Sequence, residues 1–109
     1  MDMLKLLREA QQMQARAQAL QGELAAAIYE ATSGGGAVTA TVTGMGELKS
    51  VVISPEVVDP SDVGMLQDLV IAAVRSAQEA AAAGREEQLG SLTAALEDLG
   101  LPGLDAAGR

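Results

Sequence analysis

Cysteine and histidine are both absent from this chain of 109 residues. Their absence excludes disulfide bonds, thiolate nucleophiles and the zinc sites that Cys and His build. It also removes the usual general base of catalytic triads. Phe and Trp are absent too and Tyr occurs once, so the core must be aliphatic. Because a short chain buries only a modest share of its surface, such a core favours self-association.

The sequence also lacks a long hydrophobic run. Its first 30 residues mix apolar side chains with Gln, Lys, Arg and Glu, and nothing reaches the roughly 18 apolar residues that a membrane span needs. We therefore expect a soluble protein that is not exported and has no membrane partner. The lack of cysteine agrees with a cytoplasmic location.

Basic residues are few, and the net charge is −8 with a pI near 4.3. This balance argues against a simple basic nucleic-acid binder. The charge is unevenly distributed, however: residues 1–31 carry three basic and four acidic groups, whereas residues 59–109 carry three basic and nine acidic groups. A phosphate-facing surface is therefore expected on the N-terminal part.

The first 27 residues have a heptad-like apolar pattern, with steps of three and four residues. Its members are Leu6, Ala10, Met13, Ala17, Leu20, Leu24 and Ala27. The pattern predicts a long amphipathic helix capped by Asp2, with Lys5, Arg8 and Arg16 on nearly the opposite side. The apolar stripe is either the core face against a sheet or a contact with a second copy. Because it is longer than a small sheet can cover, we expect part of it to meet a second copy.

Alternating residues and glycine turns then predict three antiparallel strands. The first begins at Ile28 and ends at Gly34-Gly35-Gly36, the second spans 37–43, and the third spans 47–54 after Gly44-Met45-Gly46. In the second strand, Val38, Ala40 and Val42 share one face and threonines occupy the other. A sheet with a single apolar face needs a helix or another sheet against it.

A second helix is predicted to begin near Pro60, with Asp59 as its N-cap and Asp62 in its first turn. A hinge is predicted at Gly84, because the apolar pattern restarts there in another phase, as Leu89, Leu92, Leu96 and Leu99. The expected fold class is α+β: helix, three-stranded antiparallel sheet, helix, with long helical arms. Residues 1–84 form the domain, and residues 85–109 form a helical extension and a flexible tail.

No catalytic, metal or cofactor site is predicted. Asp59 and Asp62 stand where helix N-termini favour acids, and Asp68 fits an exposed helical face, so a carboxylate-based enzyme is a distant third interpretation. The three glycines at 34–36 lack the Lys and Ser/Thr of a phosphate-binding loop and predict a plain turn. A small-molecule substrate is not expected.

The basic side of the first helix has two interpretations. Lys5, Arg8 and Arg16 are either solvated charges or a stripe that contacts phosphates. They have no aromatic neighbours on which unpaired bases could stack, which favours duplex phosphates over single strands.

Several segments resemble the YbaB/EbfC family of bacterial nucleoid-associated proteins in their order and spacing. They are Ala10-Gln11-Gln12-Met13-Gln14, Gly44, Val51-Val52-Ile53-Ser54-Pro55, Met65-Leu66-Gln67-Asp68-Leu69-Val70 with Ala72-Ala73, and Leu101-Pro102-Gly103. The resemblance implies a non-enzymatic homodimer, formed through its central region, whose helical arms grip duplex DNA like the jaws of tweezers.

The resemblance also implies a function and a set of contact residues. The protein is expected at the nucleoid, binding double-stranded DNA with little sequence preference, altering its conformation, compaction or protection, and influencing gene expression. The expected DNA contacts are Lys5, Arg8, Arg16, Lys49, Arg75 and Arg85, and the expected dimer contacts are Met13, Leu20, Leu24, Val38 and Val42. The alternative is a protein-interaction scaffold that uses the helical arms and the stripe from Leu89 to Leu99 without binding DNA directly.

Overall fold

A computed structural model describes residues 2–98 and confirms the predicted order of elements. The elements are helix α1 (Met3–Ala26), strands β1 (Ile28–Ser33), β2 (Val38–Thr43) and β3 (Leu48–Ile53), a short 3-10 turn (Pro55–Val57) and helix α2 (Val63–Asp98). The strands form one antiparallel sheet in the order β1-β2-β3. The two helices extend well beyond the sheet, so the molecule measures 72 × 27 × 16 Å.

Helix α1 has the length and the N-cap that the sequence predicts. The Asp2 carboxylate accepts a hydrogen bond from the backbone N–H of Leu4 at 3.1 Å, and the helix ends where Ala27 becomes extended. Leu24 is its only buried residue. Most of α1 therefore lies outside the core, and strong helix formers such as Ala, Leu, Gln and Glu dominate its sequence.

Glycines shape both hairpin turns. Gly34, Gly35 and Gly36 have φ angles of 61°, 68° and 94° between β1 and β2, and Gly46 has a φ of 88° between β2 and β3. Residues with a Cβ rarely adopt these angles. The first turn joins the paired residues Ser33 and Val38. Just before the second turn, the pairing of β2 with β3 shifts by one residue between Thr41 and Val42.

Helix α2 begins later than predicted and has no hinge. Asp59 caps a separate turn, because its carboxylate accepts hydrogen bonds from the Ser61 backbone N–H at 2.9 Å and the Ser61 hydroxyl at 2.7 Å. Asp62 caps the helix itself by accepting from the Met65 backbone N–H at 3.2 Å, so α2 starts at Val63 instead of near Pro60. The helix then continues unbroken through Gly84 to Asp98.

Gly84 provides space for Tyr29. A Cβ at position 84 would overlap the Tyr29 hydroxyl and would lie 2.7 Å from its ring carbon Cζ. The predicted hinge is therefore wrong: the glycine admits the chain's single aromatic ring against an intact helix. The proposed division at residue 84 has no counterpart in a helix boundary, and Leu99, Leu101-Pro102-Gly103 and the rest of the predicted tail lie outside the described residues.

The core lies between α2 and the sheet and is built from small side chains. Its fully buried members are Val38, Ala40 and Val42 of β2 and Ala73, Ala77 and Ala81 of α2. Alanines allow a helix to approach a sheet closely. The Ser33 hydroxyl also donates a hydrogen bond to the Leu69 carbonyl at 2.6 Å, which ties the end of β1 to α2.

This core corrects the predicted dimer contacts at Val38 and Val42. Both side chains are completely buried by the α2 helix of their own chain, so neither presents surface to a second copy. The alternation in β2 identified the apolar face correctly. It could not distinguish a face covered by the same chain from one covered by another.

We expect Gly84→Ala to lower the free energy of unfolding by about 1–3 kcal/mol, because the new methyl group would overpack against Tyr29. Gly90→Ala is the matched control, because it lies on the same helix with nothing within 4 Å of an added Cβ. It should be neutral or stabilise the protein by up to about 1 kcal/mol. Urea unfolding measures both variants, and equal stability of the two would contradict the proposed Tyr29 contact.

Candidate nucleic-acid interface

Helix α1 presents the main group of free cations. Lys5, Arg8 and Arg16 are exposed, and none makes a side-chain hydrogen bond or ion pair with another residue in the range 2–98. About 17 Å of helix axis separates Lys5 from Arg16, at 1.5 Å per residue. The three groups thus form a short basic stripe along a helix that is largely outside the core.

The other three predicted DNA contacts lie on different elements. Lys49 is exposed in β3, and Arg75 is exposed on the side of α2. Arg85 is half-buried, and its Nη1 donates a hydrogen bond to the Gly44 carbonyl at 2.7 Å. Arg85 therefore differs from the other five cations, because the chain already supplies a partner for its guanidinium.

The carboxylates near the start of α2 have structural roles. Asp59 and Asp62 cap successive turns, as described above, and the hydrogen bonds from the Ser61 hydroxyl and N–H lower the pKa of Asp59. Asp68 is exposed. Across residues 2–98, no three acidic side chains come together in a way that could hold a metal ion.

The second half of α2 faces the second half of α1 across a groove with few direct helix–helix contacts, and we call these two segments the arm. A groove of about 320 Å³ between them is lined by Ala17, Leu20, Gln21, Leu24, Met45, Arg85, Leu89 and Leu92. Leu24 is only 6% exposed, so its own chain already buries this predicted dimer contact. Met13 and Leu20 remain half-exposed, and their contact with a second copy stays a prediction.

A second apolar surface is open beside β3. Helix α2 packs mainly on β1 and β2 and hardly contacts β3. Two grooves, of about 540 and 240 Å³, therefore remain along the side of α2. Their apolar lining, which we call the α2–β3 face, consists of Ile53, Leu66, Val70, Ile71 and Val74.

The α2–β3 face was not predicted from the sequence, although a signal for it was present. The core stripe of α2 follows Leu66, Ala73 and Ala77, and Ile71 and Val74 lie to one side of it. At 100° per residue these positions together span an arc of roughly 160°, wider than the sheet-facing stripe alone. The extra width indicates two packing partners for one helix.

Comparison with known proteins decides the family. The sequence profile of the YbaB/EbfC DNA-binding family matches residues 1–96, nearly the full described range. The chain belongs to the YbaB/EbfC family. This confirms the resemblance drawn from the motifs and extends it through Gly84 into the second half of α2.

Curated relatives and a solved structure support the same assignment. A nucleoid-associated protein of Saccharopolyspora erythraea is 48% identical, and the match covers 94% of each chain. One from Chloroflexus aurantiacus is also 48% identical over 91% of this chain and 99% of its own. An uncharacterized Helicobacter pylori protein of known crystal structure has the same YbaB/EbfC-like fold, with a TM-score of 0.72 and 22% identity over 85% of this chain and 98% of its own.

The described part of this YbaB/EbfC chain contains no helix that is both long and apolar enough to cross a bilayer.

Proposed function

We propose that the chain acts as a homodimer that binds double-stranded DNA at the bacterial nucleoid with little sequence preference. Binding alters the conformation, compaction or protection of the DNA and thereby influences gene expression. The observation that carries this proposal is membership of a DNA-binding family along nearly the whole described chain. We propose that the protein works in the cytoplasm by binding and not by catalysis, and the relatives named as nucleoid-associated support its location.

The chemistry of α1 supports duplex phosphates as the ligand. Lys5, Arg8 and Arg16 are exposed and free to meet phosphate oxygens, which carry no sequence information. The single aromatic ring, Tyr29, packs against Gly84 and the core, so it is not available for stacking on an unpaired base. A net charge of −8 does not prevent binding, because salt screens charges beyond about 8–10 Å.

A second copy is the proposed occupant of the α2–β3 face. Ile71 is 52% exposed on it, and half-buried Ile53, Leu66, Val70 and Val74 continue the same apolar surface. A two-fold contact would place this surface against itself, which is how most homodimers are built. Two chains would also carry six α1 cations instead of three, which strengthens phosphate binding.

One observation favours the alternative function of a protein-interaction scaffold. Leu89 is 51% exposed beside the groove between the two arm helices, and the nearby Glu86 and Glu87 are exposed acids. A gel-shift titration on random duplex DNA at two salt concentrations separates the two functions. A shift that weakens as salt rises supports DNA binding, whereas a stable dimer with no shift even at low salt supports the scaffold.

We expect the triple variant Lys5→Ala, Arg8→Ala, Arg16→Ala to weaken binding to unrelated duplexes by similar factors. If a dimer meets about six phosphates through these groups, log K against log[salt] should have a slope of roughly −5, and the variant should bring it close to zero. Fluorescence anisotropy at several salt concentrations measures both quantities. The control is Gln12→Ala, Gln14→Ala, Gln18→Ala, which changes three exposed uncharged residues of α1. Undiminished affinity of the basic-residue variant would refute the assignment of these contacts.

We expect Ile71→Asp to dissociate the homodimer, because it would place an unpaired carboxylate in an apolar contact. The dimer dissociation constant should rise at least about tenfold, which corresponds to ~1.4 kcal/mol. Leu89→Asp, on the same helix and 51% exposed against 52% for Ile71, makes the same change in the groove that holds Leu20 and so tests that predicted contact separately. Sedimentation equilibrium measures both. The α2–β3 face is not the dimer contact if Ile71→Asp remains as dimeric as the wild type.

A further inference from the structure

The turn between β2 and β3 is bonded to both helices of the arm. The Gly44 backbone N–H donates to the Ala27 carbonyl, just after α1, at 2.9 Å. Arg85 Nη1, on α2, donates to the Gly44 carbonyl at 2.7 Å, and Gln78 Nε2 donates to the Gly46 carbonyl at 3.2 Å. One three-residue turn thus fixes the end of α1 and two points along α2.

The turn is rigid enough to serve as an anchor. The Thr43 hydroxyl accepts hydrogen bonds from the backbone N–H groups of Met45 and Glu47, each at 3.2 Å. Gly44 is buried, and a Cβ at this position would overlap the Leu24 carbonyl oxygen and would lie 3.2 Å from the Ala27 Cβ. The absence of a side chain at Gly44 therefore lets the last turn of α1 press directly on the hairpin.

Arg85 occupies the junction between the arm helices and the sheet. It lines the groove between α1 and α2 together with Leu20, Leu24 and Leu89, and an added Cβ on Gly46 would lie 3.5 Å from its Nη1. A hydrogen bond from a guanidinium is stronger than one between neutral groups, particularly where water is partly excluded. This bond joins α2 to Gly44, whose backbone N–H is in turn bonded to the Ala27 carbonyl at the end of α1.

We propose that Arg85 is a positioning residue, whose bond to the Gly44 carbonyl sets the angle at which α1 leaves the sheet. A helix of 24 residues is about 36 Å long, so a tilt of roughly 15° moves its free end by about 9 Å. That displacement is comparable to the screening distance of about 8–10 Å in physiological salt. A small change at Arg85 would therefore move Lys5 and Arg8 out of effective reach of a phosphate.

The consequence for DNA rests on the proposed function, but the effect on the arm can be measured without DNA. The chain has no cysteine, so Gln11→Cys on α1 and Thr32→Cys on β1 introduce two unique spin-label sites at exposed positions. Mixing labelled chains with excess unlabelled protein keeps the measured distance within one chain. Pulsed EPR then reports the distribution of distances between the α1 arm and the sheet.

In this background we expect Arg85→Met to broaden and shift the distance distribution, because it keeps a long apolar stem and removes the donors to Gly44. Arg75→Met is the matched control: the same change of charge and shape on α2, at an exposed residue with no bonding partner in the range 2–98. It should leave the distribution as in the wild type. Arg85→Lys keeps a positive donor and should give an intermediate distribution, which also tests the proposal if Arg85→Met does not fold.

Duplex affinity should follow the same order, falling severalfold from wild type through Arg85→Lys to Arg85→Met. A wild-type distance distribution in Arg85→Met would overturn the proposal. If that unchanged distribution came with a loss of DNA affinity, Arg85 would be a phosphate contact instead. If the wild-type protein did not bind DNA, the proposed function would fail, while the distance measurement would still decide the positioning role.

Discussion

The rest of the structure depends on the close packing of a narrow alanine stripe of α2 against β2. Ala73, Ala77 and Ala81 let α2 approach the sheet closely over the buried side chains of β2. Helix α2 lies over β1 and β2 as far as Gly84, which meets Tyr29 of β1. Two consequences follow: the side of α2 next to β3 stays apolar and open, and the last turns of α2 face α1 across a groove.

The same geometry accounts for how a protein with a net charge of −8 can meet an anionic polymer. The free cations of α1 lie on a helix with one buried residue, whereas the acids Glu86 and Glu87 lie on the second half of α2. Charges attract phosphates over roughly a screening length, so the position of each group matters more than the sum over the chain. The angle of α1 therefore determines how strongly its cations attract phosphates as well as where the helix lies.

The sequence predicted the elements well because their signals are local. The N-cap at Asp2, the alternation from Val38 to Val42 and the turn glycines depend only on neighbouring residues, and each was found as expected. Apart from the start of α2, at Val63 instead of near Pro60, the errors concern contacts between distant residues. Tyr29 packs on Gly84, which lies 55 positions later in the sequence, and this distant contact is the reason that the glycine was wrongly predicted to be a hinge. The chain's own α2 covers Val38 and Val42, which a pattern within one strand cannot indicate.

Arg85 illustrates the same limit in the candidate site. Its sequence neighbourhood resembles that of any helical arginine, and its partner, the Gly44 carbonyl, lies 41 residues away. A carbonyl oxygen and a phosphate oxygen both satisfy a guanidinium, so residue type alone cannot separate positioning from binding. Once the partner is known, the cations divide by environment. Exposed groups such as Lys5 and Arg8 are available to a ligand, and the half-buried Arg85 holds the helix that presents them. Binding strength in such a protein depends on how firmly the arm is anchored as well as on how many charges it carries.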